Sequence, residues 1–138
     1  MNKIEHIAIA VNSLEQSIPL YEKLLGVPCY KKEEVPSEKV NTAFFQTGES
    51  KIELLESTDE NGVISRFIAK KGEGMHHIAF AVENIQEEIN RLKREGFEFI
   101  NETPKLGADQ KLICFLHPKN TNGVLIELCQ DAPLELSK

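Results

Sequence analysis

The sequence predicts an α+β fold in which two strand–helix–three-strand (βαβββ) modules pair, their strands forming a curved mixed sheet around a central cleft. Three observations predict it. His6-Ile7-Ala8-Ile9-Ala10-Val11 returns as His77-Ile78-Ala79-Phe80-Ala81-Val82. Lys51-Ile52-Glu53-Leu54-Leu55-Glu56 returns, in the same order along the chain, as Val124-Leu125-Ile126-Glu127-Leu128-Cys129. Each histidine-bearing run is followed by a capped stretch of helical periodicity that ends at glycine, Gly26 in one copy and Gly96 in the other. Internal repetition of this kind outranks local propensity as a guide to fold. Module one spans about 3–57 and module two about 75–130, with 58–74 as a linking helical segment, all within one domain of 138 residues. That length supports a real core.

Residues 3–11 read as a strand, apolar and rich in β-branched side chains. Asn12 or Ser13 caps a helix carrying Leu14, Ile18, Tyr21, Leu24 and Leu25, and Gly26 ends it. Pro19 lies inside this pattern and predicts a kink or a later start. Residues 28–34 read as an edge strand and Pro36-Ser37 as a turn. Val40–Gln46 and Lys51–Glu56 are two strands joined by the hairpin signal Thr47-Gly48-Glu49-Ser50. A short apolar island of Val63, Ile64, Phe67 and Ile68 marks the linking helix, released at Gly72 and Gly74. In the second copy His77–Val82 is a strand, and Asn84 caps a helix with Ile85, Ile89 and Leu92. Phe97–Ile100, Leu112–Leu116 and Gly123–Gln130 supply the remaining strands, and 131–138 reads as a loose tail.

Composition narrows the function. A net charge of −6 with no basic stripe argues against nucleic acid as a partner, and an anionic substrate then requires local positive charge or a metal. No apolar run is long enough to span a bilayer, and Ile7–Val11 is too short for a signal-peptide core. Cys29, Cys114 and Cys129 are odd in number and lack CxxC spacing, so they read as reduced thiols of a cytoplasmic protein.

Four side chains carry the candidate chemistry. Alternation along a strand places His6, Ala8 and Ala10 on one face and Ile7, Ile9 and Val11 on the other. The bulky set is expected to face the core, leaving the His–Ala–Ala face lined by small residues with room for something else. His77, Ala79 and Ala81 repeat this pattern. Glu53 lies between Ile52 and Leu54, and Glu127 between Ile126 and Leu128. A carboxylate in an apolar strand is costly to bury unless paired or bound to a cation. Two imidazoles and two carboxylates suit a divalent first-row ion with positions left open for water or substrate. His76 points to the opposite face from His77, and His117 precedes a turn at Pro118. The lysine pairs 31–32 and 70–71 read as solvated, while Lys105, Lys111 and Lys119 flank the second-copy strands and are candidates to steer a phosphate-bearing ligand.

The repeated His and Glu strands resemble the vicinal-oxygen-chelate, or glyoxalase-like, superfamily over residues 3–130. Gly72-Glu73-Gly74-Met75-His76-His77-Ile78-Ala79, Pro104-Lys105-Leu106-Gly107 and His117-Pro118-Lys119 ahead of Gly123-Val124-Leu125-Ile126-Glu127-Leu128 narrow the likeness to its methylmalonyl-CoA epimerases. The resemblance implies one divalent ion (cobalt, manganese, nickel or zinc) held by His6, Glu53, His77 and Glu127. It also implies a small-molecule acyl-CoA substrate and a homodimer. The implied reaction is exchange of (2R)- and (2S)-methylmalonyl-CoA by proton removal at C2, with Glu127 as one acid/base; strand symmetry offers Glu53, or else a water, as the other. One departure stands out: some such epimerases carry a second catalytic glutamate on the strand before the Glu53 strand, where this chain has Thr42. Glyoxalase I uses the same ligand pattern and is the alternative. Only Arg66, Arg91 and Arg94 are present to fork the glutathione carboxylates, which disfavours it. A metal-free small-molecule binder of the same fold and an iron dioxygenase are further alternatives; the former needs no ligand set, and the latter uses one carboxylate fewer.

Overall fold

The computed structural model describes residues 1–133. In chain order the strands and α-helices are β1 (Lys3–Ala10), α1 (Leu14–Leu25), β2 (Lys31–Val35), β3 (Val40–Thr47), β4 (Ser50–Ser57), α2 (Val63–Lys71), β5 (Gly74–Ala81), α3 (Ile85–Arg94), β6 (Lys105–Leu106), β7 (Lys111–Phe115) and β8 (Ile126–Asp131). Strand pairs that are mostly antiparallel, with helices between them, make this an α+β fold. The chain divides into two compact units, His6–His76 and the residues from His77 onward together with Met1–Glu5.

In the His6–His76 unit the strands lie in the order β2-β3-β4-β1, with β1 parallel to β4 and the other pairs antiparallel. Helix α1 begins where Ser13 accepts a hydrogen bond from the Gln16 amide at 3.2 Å and ends at Gly26, whose φ of 72° suits glycine. Leu14, Ile18, Tyr21 and Leu25 pack over Val11, Ala43, Phe45 and Leu54. Leu24, expected in that stripe, is 70% exposed, because the helix turns it away from the sheet. Pro19 neither delays the start nor divides the helix. Its ring and the Glu15 carbonyl it leaves unpaired both lie on the exposed side, where water can take the lost hydrogen bond.

The face assignment on β1 holds in part. Ile9 and Val11 do pack beneath α1, yet Ala8 and Ala10 on the opposite face are the more completely buried. Small side chains let the sheet face close over them, so small residues here mark close packing as well as room.

In the second unit the order is β5-β8-β7-β6, with β5 parallel to β8 and the remaining pairs antiparallel. Asn84 caps α3 by accepting from the Glu87 amide at 3.0 Å. Ile85, Ile89 and Leu92 then pack against Val82, Cys114, Leu116 and Leu128, as their spacing predicts. The expected strand at 97–100 does not form; Phe99 makes one isolated bridge to Leu116, and the outer strand is the two-residue β6. Phe97 and Phe99 are drawn into the α3 cluster, so their burial outweighs regular pairing. The β6–β7 turn closes over Gly107, where a Cβ would meet Ile113 Cδ1 at 2.7 Å. Strand β5 starts earlier than expected, at Gly74, and β8 later, at Ile126, because 121–123 form a turn in which the Gly123 amide donates to the Pro118 carbonyl at 2.9 Å. The expected tail is tied at its start: Asp131 ends β8 and the Ala132 amide donates to the Gln110 carbonyl at 3.0 Å. Its remainder, 134–138, lies outside the described residues.

Candidate active site

Each unit holds one buried histidine–glutamate pair, built the same way. Parallel pairing of β1 with β4 sets Ala8 beside Glu53 and His6 beside Lys51, so Glu53 meets the histidine two residues along the same face. His6 Nε2 lies 3.3 Å from Glu53 Oε1, and both side chains are buried. In the other unit β5 pairs with β8 so that Ala79 stands beside Glu127, and His77 Nε2 lies 3.1 Å from Glu127 Oε1, again buried. The alanine beside each glutamate leaves the space through which the imidazole approaches.

The likeness extends one strand further. Phe44 on β3 is the cross-strand neighbour of Glu53, and Phe115 on β7 is the neighbour of Glu127. The His77 ring meets Phe115 edge-on at 5.4 Å between centroids. Each pair thus sits in an aromatic, water-poor setting, in which unshared charge is costly. A carboxylate has about four acceptor positions, more than a single imidazole N–H can fill. Imidazole nitrogens and carboxylate oxygens in such a setting are a donor set that fits a divalent first-row ion. Burial, helped by the Glu127 carboxylate, pushes the Cys114 thiol up to about 12, which keeps it protonated and out of the donor set. None of the three cysteines is in a disulfide.

The structure places the other singled-out residues as follows. His76 packs edge-on against Phe67 of α2 at 5.0 Å, a structural contact on the face opposite His77. His117 is exposed and caps the turn at Pro118–Asn120, accepting from the Lys119 amide at 3.2 Å. Lys119 pairs with Glu98 at 2.8 Å, and Lys111 with Asp131, so these two lysines, expected to steer phosphate, are engaged by carboxylates. Lys31, expected to be merely solvated, is held 3.3 Å from Glu33 and stands over the Phe44 ring at 5.9 Å from its centroid. Thr42 is 1% exposed, and its hydroxyl donates to the Glu33 carbonyl at 2.9 Å. Arg66 donates to the Asn61 carbonyl at 2.6 Å and Arg91 pairs with Glu88.

Sequence reasoning missed Glu5, a third buried carboxylate, 3.9 Å from Lys111 Nζ. Its signal was present, since it sits between Ile4 and His6 in an apolar run. A charge at the start of a strand, however, reads equally well as solvated. No described helix is long and apolar enough to cross a membrane.

Known proteins resemble this chain in sequence and in fold. Residues 5–115 match the Glyoxalase/Bleomycin resistance protein/Dioxygenase superfamily. The chain is similar to the uncharacterized protein YqjC of Bacillus subtilis, with 42% identity over 94% of this chain and 93% of that protein. It is similar to the mitochondrial methylmalonyl-CoA epimerase of Homo sapiens, with 37% identity over 94% of this chain and 74% of that one. A solved structure of a Streptomyces coelicolor methylmalonyl-CoA epimerase variant, in complex with 2-nitronate-propionyl-CoA, is similar with a TM-score of 0.89, 31% identity and 96% of both chains covered.

Proposed function

We propose that this chain, which belongs to the Glyoxalase/Bleomycin resistance protein/Dioxygenase superfamily, is a metal-dependent epimerase interconverting (2R)- and (2S)-methylmalonyl-CoA. The observation that carries this reading is the buried histidine–glutamate pair that occurs twice, at 3.3 Å and 3.1 Å, in equivalent strand positions. The human and Streptomyces relatives bear the name of this enzyme, and the Streptomyces protein is in complex with an acyl-CoA analogue.

His6, Glu53, His77 and Glu127 are the proposed holders of one divalent ion: cobalt, manganese, nickel or zinc. When bound, such an ion supplies Lewis acidity that favours negative charge on the thioester oxygen. The remaining chemistry falls to the chain. Glu127 accepts the proton of C2, which is acidified by a thioester on one side and a carboxylate on the other. Inversion requires that a proton return from the opposite face. Glu53, the counterpart of Glu127 in the other unit, or a water beside it delivers that proton. The hydroxyl of Thr42 is committed to a backbone carbonyl and carries no carboxylate chemistry. Phe44 and Phe115 keep the region around the carboxylates poor in water, which protects the carbanionic species from stray protonation.

Stripping the protein with a chelator and restoring it metal by metal tests this reading. Both (2S)-methylmalonyl-CoA and the hemithioacetal of methylglyoxal with glutathione are supplied as substrates. Metal-restored epimerisation supports it. Turnover of the hemithioacetal alone, or of neither substrate with any metal, overturns it. Arg66 and Arg91 are already engaged within the chain, which favours the CoA ester over glutathione.

A further inference from the structure

The two units carry the same cross-strand row up to a point and then diverge. One row runs Ala79 on β5, Glu127 on β8 and Phe115 on β7. The other runs Ala8 on β1, Glu53 on β4, Phe44 on β3, and continues to Lys31 on β2, which is paired in register with Phe44. Directly opposed residues of antiparallel strands share a face, so Lys31 lies on the face that bears Glu53. Strand spacing puts its backbone two steps, about 10 Å, from that of Glu53. The side chain stands over the intervening Phe44 ring, with Nζ 5.9 Å from the centroid. Glu33, two residues along the same strand, holds it there at 3.3 Å. The Tyr30 ring lies 6.1 Å from that of Phe44 and is partly exposed.

We infer that Lys31 is a specificity-determining residue of this site, reading the free carboxylate of the acyl group. The inference rests on the function proposed above and adds to it the residue that tells one end of the acyl group from the other. A duplicated scaffold supplies matching groups from both units, but a malonyl-type acyl group is not symmetric: one side of C2 is a neutral thioester and the other an anion. The cation at the end of one row is a difference between the rows that matches this asymmetry. In a chain of net charge −6 an anionic substrate also needs such a point of attraction. An ammonium has three donors, and a substrate oxygen can enter that set beside Glu33. The aromatic surface beneath it excludes water from one side and strengthens both contacts.

Binding of malonyl-CoA and acetyl-CoA, measured by titration calorimetry, tests this without turnover. The two differ only in the carboxylate, and neither has a stereocentre at C2. The parent is expected to prefer malonyl-CoA. Lys31→Met is expected to weaken malonyl-CoA binding about tenfold, the scale of one charge-assisted hydrogen bond, and to leave acetyl-CoA unchanged. Lys31→Arg, which keeps the charge, is expected to retain most of the preference. Equal weakening of both ligands would show Lys31 on a phosphate of the CoA and overturn the inference. A Lys31→Met protein with the full preference, or a parent with none, overturns it as well. Failure of the underlying function is read separately, as absence of epimerisation by the parent.

Discussion

Replacing Glu127 by Gln removes the carboxylate proposed as base and metal ligand while keeping the shape of the side chain. The side chain is almost fully buried, its Oε1 is 3.1 Å from His77 Nε2, and Phe115 lies beside it. Glutamine has nearly the same volume, so no cavity opens and the packing contribution is near zero. One contact to a charged oxygen becomes a contact to a neutral amide, a loss of about 1 kcal/mol. The proposed base is lost. A positioned acid/base contributes on the order of 10²- to 10⁴-fold, equivalent to about 3–5 kcal/mol of barrier at 1.36 kcal/mol per decade. The expected outcome is a fall of at least a hundredfold in deuterium incorporation at C2 from heavy water, followed by mass spectrometry of methylmalonyl-CoA. Urea unfolding of the same variant should show a stability change of only about 1 kcal/mol. Undiminished exchange would refute the assignment of Glu127 as a base. A stability loss as large as the kinetic one would show that the residue acts through folding.

Other consequences follow from the same structure. Ile89→Ala removes a side chain that is 1% exposed from the α3 cluster, and urea melts should report a loss of about 2–4 kcal/mol; a loss under 1 kcal/mol would contradict that packing. Glu88 is held below the ordinary carboxylate range, first by its hydrogen bond from Arg91 and then by the Met1 amine. Its contribution is therefore present above the unfolded carboxylate pKa of about 4.3 and disappears as pH falls through the lower folded value. Glu88→Gln should lose up to about 1 kcal/mol at pH 7, and the gap from the parent should narrow at strongly acidic pH, as judged by paired melts. Thiol titration with a disulfide reagent at neutral pH should modify partly exposed Cys29 first, with Cys114 and Cys129 reacting only on unfolding. Rapid native labelling of Cys114, whose thiol burial has pushed up to about 12, would contradict its environment.

The helices were legible because their signals are local. Ser13 and Asn84 cap them, and Ile85, Ile89 and Leu92 repeat at helical spacing along one face. The four candidate site residues were legible because the same strand is written twice. Three features were not. The segment at 97–100 has every mark of a strand, yet Phe97 and Phe99 gain more from the α3 cluster than from pairing. Glu5 reads as an exposed charge until Lys111, more than a hundred residues later, is seen beside it. Lys31 and Lys32 are identical in type and adjacent, and nothing local says that one of them rises over Phe44.

The repeat, the α+β class and the candidate donor set of His6, Glu53, His77 and Glu127 are properties of the sequence itself, because periodicity, capping and duplication are expressed between near neighbours or between copies. Strand register belongs to the tertiary structure alone. Which carboxylate each imidazole meets, where β6 forms, and which lysine shares a face with Glu53 all depend on pairings between residues far apart in the chain. A shift of one residue in any such pairing would turn those side chains to the other face.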